Sequence, residues 1–267
     1  MLSIGSVMTK SPTREAPSKK LRDFRKPKGP GTFTTQAFSF DGTDDFLLYT
    51  SDFDISNGQG FSISFWVKDG DLGAKTFFSK RQSSTTYWQL YTFQGKLIFT
   101  AVSGGTNICT IFTDNSITSN EDSYTNIQVT IDDSSTLAFG TNSKMYINGV
   151  EQATTKSTGA GFTGADPFNN SGAVNWANIG TSRQEFDQLD EMAIWSRKLS
   201  AAATTKVYNG GKPFDISSND GDYNNSAALT AWIRGEETLG SPPFYQFSDQ
   251  KSRTVWAFGN PSQVTPG

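Results

Sequence analysis

The stretch RQEFDQLDEMAIWSRKLS, Arg183 to Ser200, sets Glu185, Asp187, Asp190 and Glu191 just ahead of an apolar run ending in Trp195. Carboxylates so placed support three chemistries. Two of them about 5–5.5 Å apart across a sugar would form the acid and nucleophile of a retaining glycosidase. Several oxygens converging on one point would hold calcium, which takes six to eight oxygen ligands and needs neither nitrogen nor sulfur. At the end of a structural strand, Asp190 or Glu191 would instead pair with a neighbour such as Arg183 or Arg197. The chain has no histidine, which removes Ser-His-Asp and Cys-His catalysis, His-ligated zinc and imidazole acid–base chemistry. Its one cysteine, Cys109, excludes an internal disulfide and a thiolate zinc cluster, and within TNICTIF it reads as a buried, inert strand residue. Any catalysis would rest on carboxylates, Lys or Tyr.

The elements that must position these groups are strands. Of 267 residues, 35% are hydrophobic and only 18% charged, and Phe alone numbers 21, a composition of strands and turns rather than helices. From residue 37 short alternating segments recur with turn signals between them. QAFSFDGTDDFLLYT puts Phe38 and Phe40 on one face, turns at Asp41-Gly42 and resumes at Phe46. FSISFWVK alternates Phe61, Ile63, Phe65 and Val67 against Ser62, Ser64, Trp66 and Lys68, giving one core face. YWQLYTFQGKLIFTAV is a hairpin turning at Gln94-Gly95, and KMYINGVEQAT turns at Asn148-Gly149, a type I′ pair needing two positive φ angles. NIQVTID places Ile127, Val129 and Ile131 inward, and WANIG and LDEMAIWS are two further strands. Only LSAAATTKVYNGG reads as a helix, with Ser200 as N-cap and Gly210 just past the end. The expected fold is all-β, an antiparallel β-sandwich or jelly roll with one short helix and an extended N-terminal arm.

That arm is residues 1–36, with eight basic residues against two acidic ones for a net of +6, which leaves 15 basic and 24 acidic residues and a net of −9 on the remainder. With four prolines and no usable periodicity it cannot fold alone and reads as an extended docking arm. Lys19, Lys20, Arg22, Arg25, Lys26 and Lys28 are the expected partner contacts. Phe24 and Phe33 are its only aromatics and the acidic body would repel phosphate, so a protein partner is favoured over nucleic acid. No apolar run of membrane-spanning length, amphipathic helix or lipidation signal is present, and the opening residues lack the order of a secretory leader.

Four stretches, FSFDGTDDFLLY, FSISFWVK, MYINGVEQA and above all LDEMAIWSRKLSAAATTKVYNGG, resemble the LamG-like jelly rolls of the concanavalin A-like lectin/glucanase superfamily over most of residues 37–211. Residues 212–267 resemble, less closely, the Trp-containing strand and Asp-containing loop that accompany such domains in phage virion proteins, and are expected to pack on the domain as an extension. The resemblance implies two packed antiparallel sheets but no single function. Glucanases of the superfamily use Glu-x-Asp-x-x-Glu. Here Glu185-Phe-Asp187-Gln-Leu-Asp190 ends in Asp, on the strand that precedes the short helix, so no enzyme is expected. The resemblance also implies a structural rim calcium, with Asp41, Asp44 and Asp45 near Asp190.

Sugar sites stack sugar faces on exposed Trp or Tyr. Tyr87, Trp88, Tyr91, Trp176 and Phe186 lie in loop-like surroundings, and Trp88, Tyr91 and Trp176 are the leading carbohydrate candidates. Tyr87, Gln89 and Tyr91 alternate with Trp88 and Leu90, so one set must be core, and the alternation does not say which. The function expected from these readings together is a phage structural protein on the virion, a capsid decoration or fibre component. It would dock through its arm on major capsid or fibre subunits as a homo-oligomer or multi-copy assembly. A carbohydrate-binding module for host surface glycans is the alternative, and a glucanase-type hydrolase a third.

Overall fold

The structure, a computed structural model, describes residues 36–49, 60–118, 122–159, 171–179, 182–235, 245–251, 254–259 and 261–264. Two antiparallel sheets carry it. One runs in the order β10 (Val150–Glu151), β9 (Lys144–Ile147), β8 (Thr125–Ile131), β3 (Phe61–Lys68), β15 (Glu185–Trp195), β1 (Ala37–Asp41), β19 (Ser262–Val264), with β16 (Leu229–Ile233) also paired to β15. The other has nine strands in the order β11 (Thr154–Thr158), β7 (Thr106–Thr113), β6 (Lys96–Ser103), β5 (Tyr87–Phe93), β4 (Thr76–Arg81), β12 (Ala173–Trp176), β2 (Phe46–Tyr49), β18 (Thr254–Phe258), β17 (Tyr245–Ser248). A small pair, β13 (Asn178–Ile179) with β14 (Ser182–Arg183), follows β12. Strands after residue 228 join both sheets, so the C-terminal segment is woven into the sandwich.

The turns form where positive φ is affordable. Gln94 and Gly95 (φ 51° and 75°) close the hairpin between β5 and β6, and Asn148 and Gly149 (φ 50° and 73°) close that between β9 and β10, as type I′ geometry requires. Between the sheets, Phe61, Phe65, Phe78, Trp88, Phe99 and Trp176 interlock with ring centroids 4.9–5.8 Å apart.

The alternation of β3 reads as one buried face, yet both of its faces are buried, as are those of β8. The reason is a second layer on the outer side of the eight-stranded sheet. Helix α2 (Ala201–Tyr208), capped by the Ser200 side chain on the Ala203 amide and closed at Asn209 in the left-handed region, lies there. Behind it Trp195, Leu199, Val207, Ile216, Tyr223, Leu229 and Trp232 build a smaller core of their own. The strand polar groups beneath this layer are bonded into it: Ser62 Oγ accepts from the Leu199 amide (2.9 Å), and Gln128 Nε2 donates to the Thr204 carbonyl (3.0 Å).

A helix beyond the expected one, α1 (Thr136–Asn142), follows β8. Its seven residues include Thr, Gly and Asn and show no apolar periodicity. Ser135 caps its start and Phe139, fully buried, fixes it to the core. No helix among the described residues is long and apolar enough to cross a membrane.

Candidate functional site

The four carboxylates of the opening stretch divide sharply. Glu185 and Asp187 are exposed, whereas Asp190 and Glu191 are buried. Strand β15 pairs with β3 along one edge; its other edge is shared, β1 taking the first half and β16 the second. At the junction the ladder to β3 slips: Asp190 faces Trp66 and Ala193 faces Ser64, so two residues of β15 oppose one of β3. Glu191 takes the bulge with φ 51°, a left-handed conformation that costs a non-glycine residue of the order of 1 kcal/mol. The slip reverses the parity that alternation implies, so Asp190 does not share a face with Met192 and Ile194.

Both carboxylates are spent on the chain around them. Asp190 Oδ1 accepts from the amides of Glu191 (2.8 Å) and Gly235 (2.9 Å). Glu191 accepts from Trp232 Nε1 (2.7 Å) and Arg234 Nε (3.1 Å), while the Arg234 guanidinium lies over the Trp232 ring. A cavity with room for about one water adjoins Glu191 among Ser64, Trp66, Trp195, Phe214 and Trp232. Burial first, and the charge of Asp190 second, push the Glu191 carboxyl up to about 8 against the opposing pull of Arg234. Asp190 also raises the neighbouring Tyr124 phenol, after burial, which is the larger cause.

The expectation that Asp190 joins a calcium site is corrected by this geometry. Asp41 lies opposite Glu185, five residues before Asp190 on β15, and Asp190 is bonded to backbone amides. Asp41, Asp44 and Asp45 do come together, one oxygen from each within 4.8 Å of the others. Within that group Asp45 accepts from the Asp41 amide (3.1 Å) and Asp41 from the Thr43 amide (2.8 Å).

Two of the three carbohydrate candidates are also corrected. Trp88 is 1% and Trp176 0% exposed, both sunk in the ring cluster between the sheets, and neither can stack a sugar. Phe186 is likewise buried. Tyr91 sits on the opposite parity of β5, and with it Tyr87 and Gln89, all half-buried on the outer face of the nine-stranded sheet. Ile98 stands opposite Tyr91, and Phe112 opposite Ile98, extending this surface over β6 and β7. The Gln89 side-chain oxygen has no hydrogen-bond partner among the described residues. Arg81 lies over the Tyr87 ring (5.4 Å) and Lys96 over Phe112 (5.1 Å). The sequence signal for Tyr87 and Gln89 was their shared parity with Tyr91; what decided it is that Trp88 and Leu90 face the Phe-rich side. Lys19, Lys20, Arg22, Arg25, Lys26 and Lys28 lie outside the described residues.

The Laminin_G_3 family, described as the concanavalin A-like lectin/glucanases superfamily, matches residues 40–203, well over half of the chain. The chain belongs to this family. No curated protein matches it. Among solved structures, a proposed carbohydrate-binding protein from Bacteroides ovatus is 15% identical with a TM-score of 0.57, over 86% of this chain and 60% of that one. The chain thus spans less than two thirds of that protein's length, and the likeness is one of fold. A heptameric SAP-like pentraxin from Limulus polyphemus is 14% identical over 65% of this chain and 82% of that one, with a TM-score of 0.47. Domains LG4-5 of the mouse laminin α1 chain are 11% identical over 68% and 48%, with a TM-score of 0.45. The Laminin_G_3 match ends inside α2, so Trp232, Arg234 and Gly235, which engage the acidic pair, all lie beyond the matched span.

A carboxyl held above its ordinary range binds its proton more tightly in the folded chain, so stability falls as pH rises from about 4.5 to about 8, with a slope approaching 1.4 kcal/mol per pH unit for one proton. Asp132, held down at about 2 by its hydrogen bonds to Ser134, Lys198 and Asn142, contributes a constant amount across that window. Glu191→Gln, a neutral stand-in for the protonated acid, is expected to flatten the profile of urea midpoint against pH between 5 and 8.5. Parallel profiles for the two proteins would mean that Arg234 keeps Glu191 ionised throughout.

Proposed function

We propose that this protein is a glycan-binding module whose binding surface is the outer face of the nine-stranded sheet over β5, β6 and β7. The observation that carries the reading is the trio Tyr87, Gln89 and Tyr91. Two half-exposed phenol rings on one strand, about 13 Å apart by strand rise, flank the half-buried Gln89 carboxamide. A sugar offers apolar ring faces and hydroxyl edges. Rings for stacking with a few placed polar groups between them are what such a ligand requires. The Thr110 hydroxyl, half-buried on β7, and the exposed Asn107 amide add polar groups at the same surface. Catalysis has no part in this reading, since Asp190 and Glu191 are occupied in bonds to Trp232 of β16 and to Arg234 and Gly235 just beyond it.

Calcium at Asp41, Asp44 and Asp45 belongs to the same proposal. The donors are all oxygen, as calcium prefers, and the three carboxylates concentrate negative charge at one rim. A second reading, favoured by the split of +6 on residues 1–36 against −9 on the rest, places the module on a virion. In that reading the arm grips a capsid or fibre subunit, the protein is present in many copies, and the sandwich faces host glycans.

Each part has its own measurement. Tyr91→Ala and Tyr87→Ala are expected to weaken retention on immobilised polysaccharide roughly tenfold each, with unchanged thermal unfolding; a glycan array that stays blank across neutral and acidic polymers would sink the reading. Added calcium is expected to raise the unfolding temperature of the wild-type chain and to leave Asp44→Asn where it was. Removal of residues 1–36 is expected to abolish incorporation into particles while glycan binding persists, and normal incorporation would dispose of the docking arm.

A further inference from the structure

Among the described residues, charge is unevenly distributed along the strands. At the end where β1 turns into β2 lie Asp41, Asp44 and Asp45, with Glu185 in register opposite Asp41. The loop from β3 to β4 reaches the same end with Asp69 and Asp71, and Asp69 accepts from the Asp187 amide (3.4 Å). Lys96 and Asp114 also sit toward this end, at the first residue of β6 and just past the last of β7. At the far end of β4 stands Arg81. The two loops that border it on the outer face, residues 82–86 and 103–105, contain no acidic residue, only Gln, Ser, Thr and Gly.

Among the described residues Arg81 is one of the cations that enter no ion pair, as is Lys96, which lies over Phe112 on the same face. Lys75, Lys144, Lys198, Lys206 and Arg234 each pair with a carboxylate. No ion pair among the described residues involves Arg81, and its guanidinium rests on the Tyr87 ring instead. Stacking holds the planar fork in place while leaving its donors open, which lowers the ordering cost of binding an anion. In a body of net −9, a cation of this kind beside a proposed sugar platform points to the charge of the ligand.

We propose, resting on the glycan-binding reading above, that the outer face takes an acidic polysaccharide, with Arg81 receiving its carboxylate or sulfate while a sugar ring stacks on Tyr87. A guanidinium engages either group through paired N–H donors, and both are planar or multi-oxygen acceptors of matching reach.

Matched polymers separate these possibilities on the full chain. Binding is measured by calorimetry to polygalacturonate and its methyl ester, which differ in the carboxylate charge, and to dextran sulfate and dextran, which differ in the sulfate. The acidic member of at least one pair is expected to bind tenfold or more tightly than its neutral partner, the preference fading as salt rises. The pair that shows it identifies the anion. Arg81→Met is expected to erase the preference and Arg81→Lys to restore part of it, with the unfolding midpoint of both variants unchanged. Equal or better binding of the neutral member, or a preference that survives Arg81→Met, overturns the assignment and leaves glycan binding standing. Absence of binding to these four polymers and to a panel of neutral polysaccharides takes down both.

Discussion

The structure depends on the way one strand edge is divided. Strand β15 has a single free edge beside β3, and two strands from opposite ends of the chain use it. Strand β16 runs along its second half and β1 along its first, in the same direction, so that the end of one meets the start of the other. Gly235 marks the meeting point, where a β-carbon would fall 1.8 Å from the Gln36 carbonyl oxygen. Two backbone ends that abut in a sheet leave amides without ladder partners, and a buried unsatisfied amide costs about 1–3 kcal/mol. Asp190 supplies the missing acceptor for Gly235, and Gln263 donates to the Gly235 carbonyl (2.7 Å). The bulge at Glu191 follows from the same need, because it aims a carboxylate at Trp232 and Arg234 at the price of a left-handed residue and an elevated carboxyl.

That fastening explains why the two outer faces differ. On the eight-stranded sheet the outer face lies under α2 and the segment that Asp190 and Glu191 secure, and Ser62 and Gln128 hydrogen-bond to that covering layer. On the nine-stranded sheet, β5 to β7 keep their outer residues half-exposed, with rings beside hydroxyls and amides. A sheet face that stays wet yet carries Tyr, Phe and Ile in register is not needed for the core, since the core already has its own rings from the other parity. Its composition is therefore open to selection by a ligand.

The sandwich was largely legible in the sequence because period-two alternation and type I′ turns are local properties. Phe61 to Val67, Ile127 to Ile131 and the turn at Asn148-Gly149 all stand where those rules put them, and Ser200 caps the helix it was expected to cap. The failures share a different cause. Trp88 and Trp176 read as surface candidates because type and neighbourhood suggest a platform, but parity against a Phe-rich partner sheet, a non-local fact, decides their side. Asp190 read as a rim ligand because the family resemblance implied it, and no local signal announces the bulge that follows it; Glu at a left-handed position is a choice made by Trp232 and Arg234 some forty residues away. Helix α1 lacks periodicity and exists through one cap and one buried Phe139.

The absence of histidine gives the chemistry of this surface its character. Without a group that changes charge near neutrality on its own, the proposed recognition rests on permanent charges, amides, hydroxyls and ring faces. Glu191, whose carboxyl burial raises, lies in the seam and away from the open face. The seam is thus separate from the proposed glycan face, where the geometry of Tyr87, Gln89 and Tyr91 is fixed by the ladder of β4, β5 and β6.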